Sequence, residues 1–275
     1  GFADCINSGD FDAEVQGARD AFANNNRNDS WALAETNLGQ YAFYAQDEWA
    51  IGQKFVLTAG LRMDVPLYFN TRDLVQENID RKGGLLSDGG TYDPTITYSD
   101  ENGDPITFDH TKLPNKTPLL SPRFGFNYDI FGNRSAQLRG GSGLFTGRFP
   151  FVWIGNQVAN PDFFFYCVTH PDFKFPQVWR SNLGYDQEFW DGWIGSLDVV
   201  FTKDINAMMV RNYGLKTPSG NLQGVDNRPI YIADSDRVLV FGAPTNAYVF
   251  TNVSEGYSFN TSVQIPKNWE DGSIL

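Results

Sequence analysis

Between Leu119 and Asp129 apolar and polar side chains alternate with a period of two. Leu120, Pro122, Phe124, Phe126 and Tyr128 share one face, and Ser121, Arg123, Gly125, Asn127 and Asp129 the other. Successive strand residues point to opposite sides, so this stretch predicts a strand with one face in an apolar medium and one face wet. Phe131-Gly132-Asn133-Arg134 follows, where Gly and Asn supply the backbone freedom of a tight turn. The chain returns over Ser135–Gly147, with Ala136, Leu138 and Leu144 on one face and Gln137 and Arg139 on the other.

The same pattern recurs along the chain. Leu38–Ala50 sets Tyr41, Phe43, Ala45 and Trp49 against Gln40, Gln46 and Glu48, with Asp47 out of step. After the reversal Ile51-Gly52-Gln53, Lys54–Val65 alternates most cleanly: Phe55, Leu57, Ala59, Leu61, Met63 and Val65 oppose Lys54, Thr58, Gly60, Arg62 and Asp64. Gln177–Asp186, Trp193–Phe201 (with room to run to Tyr213) and Ala247–Ile265 complete the set, and Ser273-Ile274-Leu275 reads as the start of another strand. Within the polar first 37 residues, Phe11, Val15, Ala18 and Phe22 share a helical face, which predicts a short helix over Asp10–Ala23. Thr95–Ser99 and Ile106–Phe108 flank Asn102-Gly103, the favoured pair for a two-residue hairpin.

Connection lengths alternate. Short ones fall near 51–53, 130–134, 187–192 and 266–272; long ones cover 66–118, 148–175 and 214–246. Outer-membrane barrels have short turns on one side and long loops on the other. Trp49, Phe131, Trp190, Trp193 and Trp269 cluster at the short ends, as rings of an aromatic girdle do. A soluble β-sandwich also alternates faces but explains neither regularity. The expected fold is therefore all-β, an antiparallel transmembrane β-barrel with the long loops 1–37, 66–118, 148–175 and 214–246 outside the cell. About eight strands are expected. Eight strands close only a small barrel, and the wet face carries Glu48, Arg62, Asp64, Arg123, Arg139, Arg180 and Asp198. So charged a face suits a wide lumen, and the chain is expected to be a partial wall of a larger barrel. Gly1-Phe2-Ala3-Asp4-Cys5 lacks the basic start and apolar core of a signal peptide, which fits a mature chain or an internal piece.

Composition narrows the function classes. The net charge of -12 argues against a nucleic-acid footprint. No apolar run approaches the roughly 18–20 residues of a membrane helix, a test that barrel strands escape. The acidic run Asp100–Asp104 lacks the ligand spacing of a calcium loop and reads as a solvated turn. His110 and His170 lie in long loops without a partner motif for nucleophilic catalysis. Gly140–Gly147 lacks the Lys-Ser/Thr of a phosphate loop. Neither catalysis nor a resident metal or cofactor is expected. Residues 1–37 and 148–175 fall on one oxidising side, so Cys5 and Cys167 are candidates for a disulfide.

Arg139–Trp153 (RGGSGLFTGRFPFVW), followed by Asn156-Gln157, resembles a stretch of TonB-dependent receptors, in particular the Oar-like branch with a carboxypeptidase-regulatory-like domain. Tyr41–Trp49 (YAFYAQDEW), Pro176–Asp186 with Thr202–Asn206, and Glu255–Asn260 are similar to that branch as well. The resemblance implies a barrel of about 22 strands filled by a plug domain that lies outside this chain. It further implies energy supplied by TonB through that plug region, outer-membrane lipid around the wall, a surface lipoprotein as a further candidate partner, and import of a large solute such as a peptide or glycan. A surface-binding barrel, adhesin or scaffold, is the alternative. Arg62, Arg123, Arg139 and Arg180 would then face the lumen and plug, or pair along the wall with Asp64, Asp129 or Asp198. Phe149, Phe151, Trp153, Phe163, Phe164, Phe165 and Tyr166 offer aromatic anchors for a ligand, or packing for the loop itself.

Overall fold

The computed structural model describes residues 16–17, 20, 35–81, 95–100, 102–109, 111–159, 166–190, 192–240, 243–267 and 269. Each alternating stretch forms a strand. In chain order these are β1 (Gly39–Ile51) and β2 (Phe55–Leu67), the short β3 (Tyr98–Ser99) and β4 (Pro105–Ile106), then β5 (Leu119–Asp129) and β6 (Ala136–Thr146). β7 (Tyr166–Thr169) precedes β8 (Gln177–Trp190) and β9 (Trp193–Asn212). Two small hairpins, β10 (Gly220–Asn221) with β11 (Pro229–Ile230) and β12 (Leu239–Val240) with β13 (Ala243–Pro244), lead to β14 (Ala247–Val253) and β15 (Tyr257–Gln264).

The main sheet runs β1-β2-β5-β6-β8-β9-β14 with neighbours antiparallel, while β15 also pairs with β9 and β7 lies parallel on β14. Tyr257 faces Lys203 and Val253 faces Ala207, so β14 and β15 are one interrupted strand in a single register. The interruption falls at Gly256, whose carbonyl accepts the Asp204 amide proton and where a side chain would collide with the Asp204 carboxylate.

Register places the greasy residues of every strand on the same side. Leu61 sits opposite Ala45 on β1 and Pro122 on β5, Phe124 opposite Ala59, and Phe259 opposite Phe201. This face is uncovered: Leu61 is 47% and Phe124 53% exposed, and Leu183, Phe201 and Phe259 are exposed too. In water that would be an aggregation surface; against hydrocarbon it is the correct solvent. Among the polar groups there, the Ser142 and Ser181 hydroxyls lie 2.7 Å apart and Trp179 Nε1 donates to Ser181.

The turns at 52–54 and 130–135 and the one between β8 and β9 lie at one rim, and the described residues of the long connections after β2, β6 and β9 at the other. Gly52, at φ +66, and Gly132, at φ +82, take left-handed conformations in two of the short turns. Asp129 closes the second turn, its carboxylate accepting the amide protons of Gly132 and Arg134. Trp49, Phe131, Trp190 and Trp269 are exposed near this rim, and Lys267 lies over the ring of Trp193.

The buried apolar residues collect among the long connections. One cluster joins Val75, Ile79, Phe108, Tyr166, Val168, Tyr213 and Val249; another joins Leu119, Phe149, Ile154, Phe173, Phe175 and Phe250. Two helices absent from the sequence expectation, Thr71–Arg81 and Val152–Val158, supply part of this cap. So does β7, whose parallel pairing with the start of β14 sets Tyr166 opposite Ala247 and Val168 opposite Val249, far apart in the chain, and no local pattern announces it. β8 also runs past Asp186 to Trp190, which shortens the expected turn 187–192. Of the expected helix Asp10–Ala23, Gln16, Gly17 and Asp20 are helical and the rest lies outside the described residues, as does Ser273–Leu275.

The hairpin β3–β4 forms where Asn102-Gly103 predicts it, with Tyr98 opposite Ile106. Its acidic run works as a turn cap: Asp100 Oδ1 accepts the amide protons of Asn102 and Asp104, at 2.8 and 2.9 Å. These amides, that of Asp104 foremost, hold the Asp100 carboxyl below its ordinary value of 3.8. A depressed folded pKa contributes stability that is present above the ordinary value and is lost as pH falls through the folded one. Acidification from pH 5 to pH 2 is thus expected to lower the amide protection factors of the β3–β4 hairpin, taken relative to intrinsic exchange at each pH, and Asp100→Asn to blunt that pH dependence.

Candidate functional site

The face opposite the greasy one carries the charged and amide side chains of the strands, and register assigns its residues. Gly60 faces Arg123, Arg123 faces Gly143, Gly143 faces Arg180, and Arg180 faces Thr202. Arg62 and Arg139 belong to the same face by the same count. All four arginines singled out from the sequence therefore lie on one side of the sheet.

Their partners differ. Toward the short-turn rim, Arg139 bridges two carboxylates, with Nε 2.7 Å from Asp186 Oδ2 and Nη1 2.7 Å from Asp198 Oδ1. A planar fork against two carboxylates is the geometry guanidinium groups favour. Gly184 makes room for it, since a Cβ there would stand 2.6 Å from Arg139 Nη1 and 2.7 Å from Asp198 Oδ1. Gly184→Val is expected to separate the three charges and lower the unfolding midpoint, and Gly184→Ala to do so less; urea titration in liposomes reads both. Nearer the cap, Arg62 grips Asp64 through Nε at 2.9 Å and Nη2 at 2.8 Å, and Gln40 Nε2 adds a third donor at 2.7 Å. Asp64 is fully buried under these three bonds. Arg180 Nε donates to Thr202 Oγ1 at 3.2 Å. Arg123 Nε is buried and has no hydrogen-bond partner among the described residues. Of the wall carboxylates expected as partners, Asp64 and Asp198 pair with arginine, while Asp129 is committed to its turn. Asp186 was not foreseen; its alternation assigns the face, but only the sheet register sets it beside Arg139.

The aromatic loop is largely inside the cap. Phe149 is 3% exposed, with its ring centroid 5.0 Å from that of Phe173 and 5.2 Å from that of Phe250. Tyr166 is fully buried and its hydroxyl donates to the Phe108 carbonyl at 3.0 Å. These two rings pack within the two apolar clusters of the cap. The Trp153 ring lies tilted against that of Phe250, centroids 5.0 Å apart, and its Nε1 donates to the Val168 carbonyl at 3.1 Å. Phe151 is half-buried and lines a cavity of about 580 Å³ under the cap, together with Gln40, Arg62, Ser121, Arg123 and Arg148. Phe163, Phe164 and Phe165 lie outside the described residues, as do Cys5 and His110. Cys167 is buried in β7, where removal from water pushes its thiol up to about 12. His170 Nδ1 accepts the Asp172 amide proton at 3.2 Å.

A sheet with one lipid-facing side, one charged side, short turns at one rim and a packed cap at the other is the wall of an outer-membrane β-barrel. The chain belongs to the outer membrane beta barrel domain family, whose model matches residues 10–169. Among solved structures it is similar to a mutant of the ferric enterobactin receptor PfeA from Pseudomonas aeruginosa, at 13% identity and a TM-score of 0.47, over 85% of this chain and 25% of that one. It is also similar to the outer membrane transporter YddB from Escherichia coli, at 13% identity and a TM-score of 0.44, over 85% of this chain and 22% of that one. The chain thus spans about a quarter of the length of these proteins. No curated protein matches the sequence.

Proposed function

We propose that this chain is part of the barrel wall of a TonB-dependent receptor that imports a large solute, a peptide or glycan, across the outer membrane. The observation that carries the reading is the wet face itself. Arginines, aspartates and amides line it from rim to rim, bonded to one another across strands. Such a lining suits a broad hydrated lumen that can hold another domain, whereas a narrow closed barrel fills with packed side chains. The resemblance of Arg139–Trp153 and Tyr41–Trp49 to TonB-dependent receptors, and to their Oar-like branch, supports energised import and a plug in that lumen. The packed cap at the long-loop rim then stands at the cell surface, where an incoming solute or a surface lipoprotein would meet it. The wall is a passage and not a catalyst.

Uptake in cells tests this. A strain lacking the full-length protein should accumulate less of some member of a fluorescent peptide library or a dextran ladder than its parent. The difference should vanish when an uncoupler collapses the inner-membrane proton gradient. Equal accumulation of every member by both strains would overturn the transport reading.

A further inference from the structure

Positive charge on the wet face is not evenly matched. Near the short-turn rim Arg139 is neutralised by Asp186 and Asp198. Under the cap the balance reverses. Arg62, Arg123 and Arg148 all line the cavity there, and Asp64 cancels Arg62 alone. Neither Arg123 nor Arg148 has a carboxylate within ion-pair distance among the described residues. Arg123 Nε is moreover buried with no acceptor. Its neighbours across the strands are Gly60 and Gly143, which have no side chain to cover or satisfy the guanidinium. This unmatched pair of cations sits in a chain whose net charge is -12, so it is not a local sample of the average.

Guanidinium groups are strong donors in a fixed plane, and carboxylate and phosphate oxygens are the acceptors that fit them. The cavity walls also present the Gln40 amide, the Ser121 region and, on one side, the ring of Phe151. We propose that this cavity is an oxyanion site in which Arg123 and Arg148 together hold a carboxylate or phosphate group, with the Arg62–Asp64 pair as its fixed wall. The acceptor belongs either to a free anionic solute or to an acidic side chain of a protein segment seated against the wall. The proposal rests on reading this face as a lumen wall, and not on transport.

The test uses the full-length protein in detergent micelles, with citrate and inorganic phosphate as probes. Variants are Arg123→Gln, Arg148→Gln, their double, and the double lysine variant that keeps both charges. If a solute supplies the oxyanion, citrate or phosphate raises the unfolding midpoint of the parent. Binding by calorimetry should then weaken about tenfold or more for each arginine lost, with partial recovery in the lysine variant. If a protein segment supplies it, neither probe binds, phenylglyoxal leaves Arg123 and Arg148 unmodified, and the double glutamine variant unfolds earlier than the lysine one. The site is overturned if neither probe binds and the double glutamine variant unfolds like the parent. Binding is read on purified protein, so its failure is separate from any failure of uptake in cells.

Discussion

Phe124→Arg is expected to cost the inserted wall about 2–4 kcal/mol, the range found for a cation placed on the lipid side near the bilayer midplane. The neighbouring residue makes the argument sharp. Position 123 is already an arginine, and one step along a strand reverses the side on which a side chain stands. Arg123 meets the hydrated face with Gly60 and Gly143 beside it. Phe124 is 53% exposed on the opposite face, next to Ala59 and Ser142. A guanidinium there has no acceptor but lipid and backbone already used in the ladder. Thr58→Lys, on the wet face of β2, is the control and should leave the unfolding midpoint nearly unchanged. Urea titration of protein refolded into liposomes reads both. Equal stability of the two variants would mean that the greasy face does not look at hydrocarbon.

Phe149→Ala should remove about 3–5 kcal/mol from the cap, the usual cost of deleting a buried phenyl ring from a packed cluster. Phe149 touches Phe151, Phe173, Phe175 and Phe250, with ring centroids 5.0–6.1 Å apart. Those rings come from the connection after β6, the approach to β8, and β14, so one side chain ties distant segments together. The strands below do not rely on it, because their ladders are backbone bonds. The expected result is therefore split. Trypsin should cut the cap faster, with cap amides exchanging sooner, while amides of the β1–β2 ladder keep their protection. Loss of protection in both would show that cap and wall unfold as one unit.

The sequence by itself determined the wall. Alternation such as that of Phe55–Val65 assigns every side chain to one of two faces, and nothing distant is needed to read it. Turn chemistry at Gly52, Gly132 and Asn102-Gly103 placed the reversals, since only a few residues reach those backbone conformations easily. Long and short connections followed in turn, and with them the two rims. The four arginines were legible as members of the wet face for the same reason.

Tertiary structure alone decided what those residues touch. Asp186 and Asp198 converge on Arg139 because three strands meet in register over Gly184, and register between strands is not written in any one of them. The cap was likewise hidden. Phe149 and Tyr166 look the same on paper whether exposed or packed, and contacts across the chain, as between Tyr166 and Phe108, 58 residues apart, bury them. The unmatched pair Arg123 and Arg148 belongs to this second kind of knowledge: a missing counter-charge is a property of a place in space, and local periodicity carries no information about it.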